Sequence, residues 1–303
     1  METASVVVAP SSQLTPHGRT RVGALLAYCR RNPRLVVGAA MVLALILISV
    51  VGPIFVATSD AQPMSTTPDR PPSTGHPLGT DDQGRDLLAV LVAGLPLTLR
   101  IGFLAGGVGL GIGMLLGLLA GYRGGVLDAV IRTAVDILLT VPGLLVLIMV
   151  AASIKAFISV NVMALVIASL AWMQPTRTIR SQILSLRERA YVQMARLSNM
   201  STLEIIVREL VPNLIPYLAA SFVSSVAAAV LASIGLEALG LGPQNDPTIG
   251  MTIYWAIYFN ALIRGIWWWC IPPIIVVVFL FLGLFLLTSG LDEVANPRLR
   301  RQA

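Results

Sequence analysis

Charged residues are scarce in this chain. Asp, Glu, Lys and Arg make up 12% of its 303 residues, about half of the roughly 25% that soluble domains carry. Apolar residues supply 56%, and the mean hydropathy is +0.82. This balance excludes an ordinary soluble domain and predicts an integral membrane protein that contacts the lipid bilayer. The net charge of +6 does not require a nucleic-acid partner, because basic loops are normal in such proteins.

Cysteine and histidine are rarer still. Cys29 and Cys270 stand far apart, with no thiol or imidazole at ligand spacing, so the sequence predicts neither a metal site nor a disulfide framework. The histidines, His17 and His76, lie outside the apolar stretches. A membrane hydrolase would need a nucleophile with a base at membrane depth, and no histidine is available there.

Lysine occurs once, at Lys155, and Ala156 follows it. A Walker A loop requires Gly-x-x-x-x-Gly-Lys followed by Ser or Thr, so the chain cannot hydrolyse ATP by itself. The Gly-x-Gly pairs between 102 and 125 lack the third glycine of a dinucleotide-binding fingerprint. We therefore expect no cofactor and no enzyme activity, and any energy from ATP must come through a partner.

Long apolar stretches are what the sequence has in quantity. Crossing a bilayer takes about 20 residues, and six stretches are long enough, at 35–58, 97–122, 129–154, 156–173, 214–236 and 266–289. Residues 1–34 form a basic tail, 59–96 a polar loop and 291–303 a second tail. The first apolar stretch is too long for a secretory signal and is expected to be retained. The sequence thus predicts an all-α membrane protein with six transmembrane helices.

Basic residues indicate how these helices are oriented. Of the 21 Lys and Arg residues, all but five lie in the two tails or in the loops that follow the second and fourth spans. The five exceptions are Arg70, Arg85, Arg100, Lys155 and Arg264. The positive-inside rule places the richer side in the cytoplasm, so both termini are expected there.

The longest polar segment between apolar spans is 187–216, on the cytoplasmic side of this topology. Its apolar residues recur at helical spacing, which predicts one or two short amphipathic helices with a break near 198–201. Ser201 is a candidate N-cap, and Glu204 stands where a capping box needs an acid. Pattern alone leaves two interpretations open, a solvated connecting loop and a contact for a soluble partner.

The loop on the other side contains HPLGTDDQGRD, residues 76–86. Its glycines permit tight turns, and its three aspartates with one arginine can tie the loop to itself. A self-capped structural loop and a platform for an external protein are both open, and both roles can hold together. The residues concerned are His76, Gly79, Asp81, Asp82, Gly84, Arg85 and Asp86.

Further polar or small residues lie within or beside the spans. Glycines at 102, 106, 109, 113, 117 and 121 form ridges for close helix packing, against this chain or another. Arg132 and Asp136, spaced i, i+4, are expected to form a structural pair near the cytoplasmic end, with a contact to the 187–216 loop as the alternative. Ser233 and Glu237 share one helix face near the end of the fifth span.

Several of these motifs resemble one family, the permease subunits of ABC importers in the oligopeptide/dipeptide/nickel branch. Residues 76–86 are similar to its HPLGTDDLGRD motif, and ALGLGPQ (238–244) and the tail GLDEVANPRLR also resemble it. The 187–216 segment resembles the family's EAA loop, which docks on the ATPase subunit. The positions concerned are Tyr191, Gln193, Met194, Ala195, Arg196, Asn199, Met200, Ser201 and Pro212.

This chain departs from the EAA pattern at three places, with Gln193 for Glu, Met194 for Ala and Asn199 for Gly. Asn tolerates the left-handed backbone that Gly would adopt in a sharp turn. The family's Glu near the end of the fifth span corresponds to Ser233, and the acid appears one turn later, at Glu237. The resemblance implies a type I importer (MetI-like) fold, with a five-helix core at 97–290 and a coupling loop at 177–213.

The resemblance also implies a function and a set of partners. The chain is expected to be a permease subunit in a bacterial or archaeal cell (inner) membrane, importing oligopeptides or dipeptides. Oligosaccharides, nickel chelates and opines are alternative substrates, and an ion-coupled secondary transporter is the alternative mechanism. The expected partners are a second, related permease in a heterodimer, two ABC ATPase subunits and an extracytoplasmic substrate-binding protein.

Overall fold

The computed structural model describes residues 31–155 and 157–295, with side chains to residue 293, and its regular secondary structure is helical. The predicted tails therefore lie almost entirely outside the described residues. The helices are α1 (Pro33–Phe55), α2 (Leu87–Arg123), α3 (Gly125–Thr140), α4 (Gly143–Ser153), α5 (Val160–Ala171), α6 (Met173–Leu186), α7 (Ala190–Leu197), α8 (Thr202–Ile205), α9 (Val211–Ala238), α10 (Ile249–Tyr258) and α11 (Trp267–Ala295). A short 3₁₀ turn covers Thr58–Ala61. The described part contains no β-sheet, which confirms the all-α class.

Helix α2 is the central element, since α1, α3, α5, α6 and α9 all pack against it. At about 1.5 Å per residue its 37 residues span roughly 55 Å. It begins at Leu87, ten residues before the predicted span, because Asp86 caps its first turn. Pro96 suggests a helix start in the sequence, but it lies inside α2. Packed neighbours can compensate for the N–H that proline lacks.

The glycine ridge of α2 packs against helices of the same chain. A Cβ built on Gly106 would stand 2.7 Å from the Val226 nitrogen of α9, and one on Gly109 would stand 2.6 Å from Ala171 of α5. Further along, Gly117 and Gly121 meet α6 in the same way. These contacts resolve the alternative that the sequence leaves open. The ridge lets backbones within this subunit approach closely.

Helix α1, the first predicted span, lies against α11. A Cβ on Gly38 would stand 2.4 Å from the Leu287 nitrogen, and one on Gly290 would stand 2.6 Å from Leu35. The N-terminal part of α1 thus packs against the C-terminal part of α11, so the two helices run antiparallel. Their buried residues join those of α2 and α9 in one apolar cluster.

The third and fourth predicted spans differ from straight helices. The third is two helices, α3 and α4, which meet at an angle of 82° at Val141 and Pro142. Proline cannot donate a backbone hydrogen bond, and it disfavours helical geometry in the preceding residue. The fourth is α5, which continues as α6 to Leu186 after one residue outside the helix assignment, Trp172. The predicted loop 177–213 therefore begins inside a helix.

Length and composition identify four helices in the described residues that could cross a membrane, or five with the bent pair. The apolar helix α5, with 12 residues, falls below that length. A six-span arrangement is compatible with this result when α5 is counted. Helix α10 was not predicted as a separate element, because ten residues are too few for a span.

A π-helical turn at Ile206–Leu210 joins α8 to α9. Pro212 lies in the first turn of α9 and Pro216 lies inside that helix. Each proline removes an N–H from the i→i−4 ladder, and the Val211 N–H bonds five residues back to the Ile206 carbonyl. Residues 202–238 consequently form one nearly continuous rod from the polar loop into the apolar part of the molecule.

Candidate functional sites

Helix α7 of the 187–216 loop is held to the body of the molecule by a small apolar core. Val192 and Ala195 of α7 are buried with Ile205 and Leu210 of the segment that follows. On the other side, this core includes Ile179 and Ile183 of α6, and Leu118 and Leu214. The helical spacing seen in the sequence thus produces a true buried face, and the loop has a fixed position.

The break after α7 has the geometry that the sequence predicts. Asn199 has a φ of +59°, the left-handed conformation in which it stands for glycine. The Met200 N–H donates to the Ala195 carbonyl at 3.2 Å, which closes the end of the helix. The hydroxyl of Ser201 then accepts from the Glu204 N–H at 3.3 Å and caps α8.

The capping box at Ser201 is only half formed. The carboxylate of Glu204 pairs with Arg208 at 2.5 Å rather than with the backbone N–H of Ser201. An i, i+4 ion pair competes with the reciprocal capping bond, because both use the same carboxylate. The predicted N-cap is therefore confirmed, and the predicted return bond from Glu204 is absent.

Two arginines tie the loop to the C-terminal end of α2. Arg187 donates to the Gly121 carbonyl at 3.0 Å. The Arg196 guanidinium lies over the Tyr122 ring, 5.5 Å from its centroid. A cation at a helix C-terminus satisfies open carbonyls and interacts favourably with the helix dipole. Loop and α2 should therefore move as one body.

The outward face of the loop carries apolar side chains that are exposed among the residues that the structure describes. Leu197 is 86% exposed, and Met194, Leu203 and Val207 are also exposed. Gln193, Arg196, Asn199, Ser201 and Pro212 lie on the exposed side as well. We call Met194, Leu197, Leu203 and Val207 the exposed apolar row. Contiguous apolar surface on a polar loop is typical of a protein contact.

Tyr191 lies at the edge of this face. Its hydroxyl oxygen is buried and has no hydrogen-bond partner among the described residues. Burial raises the pKa of this phenol above its ordinary value near 10, with a smaller opposing effect from Arg189. A buried hydroxyl without a partner costs free energy, so an external acceptor or donor would be favourable here.

The loop at 59–86, which we call the outer loop after the side of the membrane expected from the sequence, is built around Asp81, which is fully buried. Its carboxylate accepts from the Gln83 and Arg85 N–H groups at 2.9 and 2.8 Å, and from Arg85 Nε at 2.6 Å. Gly79 and Gly84 adopt φ values of +76° and +69° on either side. These bonds confirm the interpretation of 76–86 as a self-capped structure.

Asp86 joins this loop to α2. One carboxylate oxygen accepts from the Ala89 N–H at 2.9 Å and caps the helix, and the other lies 2.7 Å from His76 Nδ1. Asp86 and Arg85 are buried, whereas His76 is partly exposed. The motif residues therefore fix where α2 begins, and they offer little surface of their own.

Asp82 points outward to a second loop. Arg264, between α10 and α11, donates to Asp82 through Nη1 and to Asp69 through Nη2. Trp268 Nε1 also donates to the Thr80 carbonyl at 3.2 Å, and its ring fills the space beside Gly79. Residues 59–86 and 259–268 therefore form one outer surface, which the sequence alone did not reveal.

Glu237 is fully buried where α9 ends and α10 begins. It accepts hydrogen bonds from the Ser233 hydroxyl at 2.6 Å and the Thr248 hydroxyl at 2.7 Å. The Thr248 hydroxyl also accepts from the Met251 N–H at 3.2 Å and thereby caps α10. The predicted shared face of 233 and 237 is thus observed. Its effect is to hold the N-terminus of α10 with an acid, as the helix dipole favours.

Arg132 and Asp136 form only a loose pair, with 3.9 Å between Nε and Oδ2 and side chains 61% and 48% exposed. The tighter pair nearby is Arg180 with Asp128, where Nη2 donates at 2.6 Å and Nε donates to the other oxygen. It fastens α6 to α3. Because Arg180 and Asp128 are 52 residues apart in the sequence, their spacing could not predict this pair.

The geometry defines a class of protein. The described residues form several helices long and apolar enough to cross a membrane, and no cluster of three or more metal-ligating side chains occurs among them. A polar loop with a fixed position adds an uncovered apolar face. This is the architecture of a multi-pass membrane protein with a surface suited to a protein contact, and the comparisons with known proteins identify its family.

Residues 113–301 match the family described as "Binding-protein-dependent transport system inner membrane component", and the chain belongs to that family. The oligopeptide transport system permease protein OppC of Mycobacterium bovis is 30% identical over 76% of this chain and 79% of its own length. The Bacillus subtilis dipeptide permease DppC is 28% identical over 90% and 84%. The probable D,D-dipeptide permease DdpC of Escherichia coli is 28% identical over 95% and 96%.

Among solved structures, an inward-facing form of the MetNI methionine ABC transporter is similar, with a TM-score of 0.55 and 19% identity. The match covers 70% of this chain and 97% of that one. At this identity the likeness shows the fold alone, which is the MetI-like fold predicted from sequence. The chain is accordingly a multi-pass permease subunit of a binding-protein-dependent ABC importer, and it is a transporter component rather than an enzyme.

Proposed function

We propose that this permease imports oligopeptides or dipeptides and is driven by separate ATPase subunits that dock on the 187–216 loop. The peptide assignment rests on the relatives, whose names specify oligopeptide, dipeptide and D,D-dipeptide transport. The same machinery carrying oligosaccharides, nickel chelates or opines is the alternative. The exposed apolar row carries the coupling part of the proposal, because nothing in the described chain covers it.

The ATPase contact is centred on the exposed apolar row and Tyr191. The partner would cover Leu197 and Met194 and offer a hydrogen bond to the Tyr191 hydroxyl. Ala195 matches the family motif but is buried against α6, so it supports the loop from within and does not touch the ATPase. The distribution of basic residues supports a cytoplasmic position for this loop and both termini, on the side where ATP is available.

The binding protein docks on the opposite side in this proposal. Residues 71–77 are mostly exposed, and they project from the buried Asp81–Arg85 structure. Arg264 extends the surface to the α10–α11 loop, where Leu262 and Ile263 are exposed. The motif residues therefore form the support of a docking surface, and the exposed residues around them form its contacts.

The full transporter contains a second, related permease, two ATPase subunits and one external binding protein. An ABC motor closes as a dimer and needs two coupling loops, and this chain supplies one. Affinity purification through this chain should recover a distinct permease at equal stoichiometry. A transport-active complex that contains only this permease with ATPases would establish a homodimer instead.

Reconstitution tests the function directly. Proteoliposomes containing the complex, a loaded binding protein and internal ATP should accumulate a radiolabelled peptide. The matched controls are a non-hydrolysable ATP analogue and an imposed proton or sodium gradient without ATP. Uptake with the gradient and none with ATP would replace the ABC mechanism with ion-coupled transport. ATP-driven uptake of a chelate or oligosaccharide, with no uptake of peptides, would change the substrate only.

A further inference from the structure

A cavity of about 570 Å³ opens between α4, α5, α6 and α9. Its volume falls in the range of small-molecule sites, which is about 300–1,000 Å³. Along α9 it extends from Tyr217 to Ala232, roughly 22 Å at about 1.5 Å per residue. The cavity therefore runs beside a helix that is long and apolar enough to cross the membrane.

Most of the polar side chains that line this cavity are unpaired, the exception being Thr178, whose hydroxyl donates to the Gln174 carbonyl of its own helix at 3.0 Å. Ser221, Ser224 and Ser225 form a row on α9, and none of them makes a hydrogen bond in the part of the chain that the structure describes. The side chains of Gln174 and Tyr217, also in the wall, make none either. Five groups able to bond a ligand thus face one open space.

Three serines in other apolar helices behave differently, although Ser289 of α11 also makes no hydrogen bond to the residues that the structure describes. Ser49, Ser153 and Ser169 each donate to a carbonyl of their own helix, at 2.9, 2.7 and 2.6 Å. Such a bond is the usual way to keep a hydroxyl in a membrane helix. Hydroxyls without it are costly against lipid, where no water can satisfy them. The row on α9 therefore faces water or a polar solute.

The cavity has one charged residue in its described wall, Asp292 near the end of α11. Its neighbour Glu293 is already paired with Arg34 at 2.5 Å. Among the residues that the structure describes, no arginine or lysine lines the cavity beside Asp292. A carboxylate among neutral donors and acceptors favours a solute with amide groups and a cationic end.

We infer that this cavity is the part of the solute path that this subunit contributes, and that Asp292 makes it selective for a protonated amine. This inference rests on the proposed function and adds a residue-level specificity to it. The serine row and Gln174 would bond the amides of a peptide in turn, without regard to its side chains. Asp292 is the specificity-determining residue, and a peptide amino terminus is the group it attracts.

Thiol labelling of the assembled transporter in membranes tests the inference. With Cys29 and Cys270 changed to Ala, Ser224→Cys places one thiol in the cavity. Leu231→Cys is the matched control, because Leu231 is on the same helix and 61% exposed, but does not line the cavity. The probes are two water-soluble methanethiosulfonates of similar size, one carrying trimethylammonium and one carrying sulfonate.

Ser224→Cys should react with both probes, and Leu231→Cys with neither. After correction for the rates with a small free thiol, the cationic probe should react about fivefold faster at Ser224→Cys. Adding Asp292→Asn should remove this preference without stopping the reaction. A preference that survives Asp292→Asn would overturn the role of Asp292.

Two other outcomes would overturn the cavity itself. Equal labelling at both positions would show that exposure on α9 is not confined to the cavity. Labelling of Ser224→Cys in the isolated subunit but not in the assembled transporter would make this surface a contact for the second permease. Peptide uptake by the unmodified complex, measured separately, decides the proposed function and does not depend on these results.

Discussion

The outer loop and the 187–216 loop each carry a family motif, but they differ in what their motif residues do. In the outer loop, Asp81, Arg85 and Asp86 are buried and bonded to one another or to backbone. In the 187–216 loop, the motif residues Gln193, Met194 and Asn199 are exposed. The motif that matches the family more closely, that of the outer loop, is thus the one whose polar groups are hydrogen-bonded within the chain.

This difference has a physical cause. A self-bonded loop needs specific side chains at every position, because a missing partner leaves a buried charge unpaired. A contact surface needs the right shape and polarity against a partner that changes with it, and it tolerates Gln for Glu or Met for Ala. A sharp motif in this chain therefore indicates structure, and a degenerate one indicates contact.

The largest effect is expected from Arg85→Ala in the outer loop. It leaves the buried Asp81 carboxylate without its cation, and breaking such a pair costs about 3–5 kcal/mol. The subunit should unfold at a markedly lower temperature in detergent and accumulate poorly in membranes. Arg70→Ala is the control, since Arg70 is in the same loop and exposed. Normal stability with lost stimulation of the ATPase by loaded binding protein would instead assign Arg85 to docking.

In the 187–216 loop the expected loss is of binding rather than of folding. Leu197→Asp places a charge at the centre of the exposed apolar row. Interface residues of this kind contribute about 2 kcal/mol, so the ATPase should bind about thirtyfold more weakly. The subunit itself should keep its melting temperature. Co-purification of the ATPase measures the effect.

Ile263→Asp is the matched control for this variant. Ile263 is 86% exposed, as Leu197 is, and it lies in the α10–α11 loop beside Arg264. ATPase co-purification should not change in Ile263→Asp. Equal loss in both variants would mean that a surface charge disturbs assembly in general, and the exposed apolar row would lose its assigned role.

Sequence predicted the local features of both loops well. The turn at Asn199, the N-cap at Ser201 and the self-bonded 76–86 motif each depend on residues a few positions apart. Contacts between distant segments were missed, as with Arg180 and Asp128, or Arg264 and Asp69. Spacing along a chain carries no information about which loops meet in space.

Helix boundaries were predicted less well where proline is present. The predicted second span begins after Pro96, but this proline lies inside α2. The predicted third span runs across Pro142 without interruption, but this proline lies at the 82° bend between α3 and α4. A proline in a packed helix can be supported by its neighbours, and one at an open end cannot. The outcome depends on tertiary contacts that hydropathy does not contain.

A smaller effect is expected at the turn after α7. Asn199→Ala puts a residue with an ordinary side chain at φ +59°, which costs about 1–2 kcal/mol. Asn199→Gly should be neutral or slightly stabilising, because glycine adopts this backbone freely. Melting temperatures of the purified subunit in detergent distinguish the two. If both variants were equally destabilised, the Asn199 side chain would have a role beyond permitting the turn.

The smallest effect is expected at Tyr191, and its sign separates a structural role from contact. Tyr191→Phe removes a buried hydroxyl that has no partner in the described chain, so the isolated subunit should be unchanged or stabilised by up to about 1 kcal/mol. Because burial raises the pKa of Tyr191 in the folded state, the phenol ionises more readily in the unfolded chain, and alkaline pH therefore favours unfolding. The free energy of unfolding of the unmodified subunit should thus fall, relative to that of Tyr191→Phe, above about pH 10, which is the pKa of an unperturbed tyrosine.

The same variant also tests the ATPase contact. If an ATPase group bonds the Tyr191 hydroxyl, Tyr191→Phe should weaken ATPase co-purification severalfold. Weaker co-purification with unchanged stability would extend the contact surface to Tyr191, and loss of stability alone would place the hydroxyl's partner within the chain.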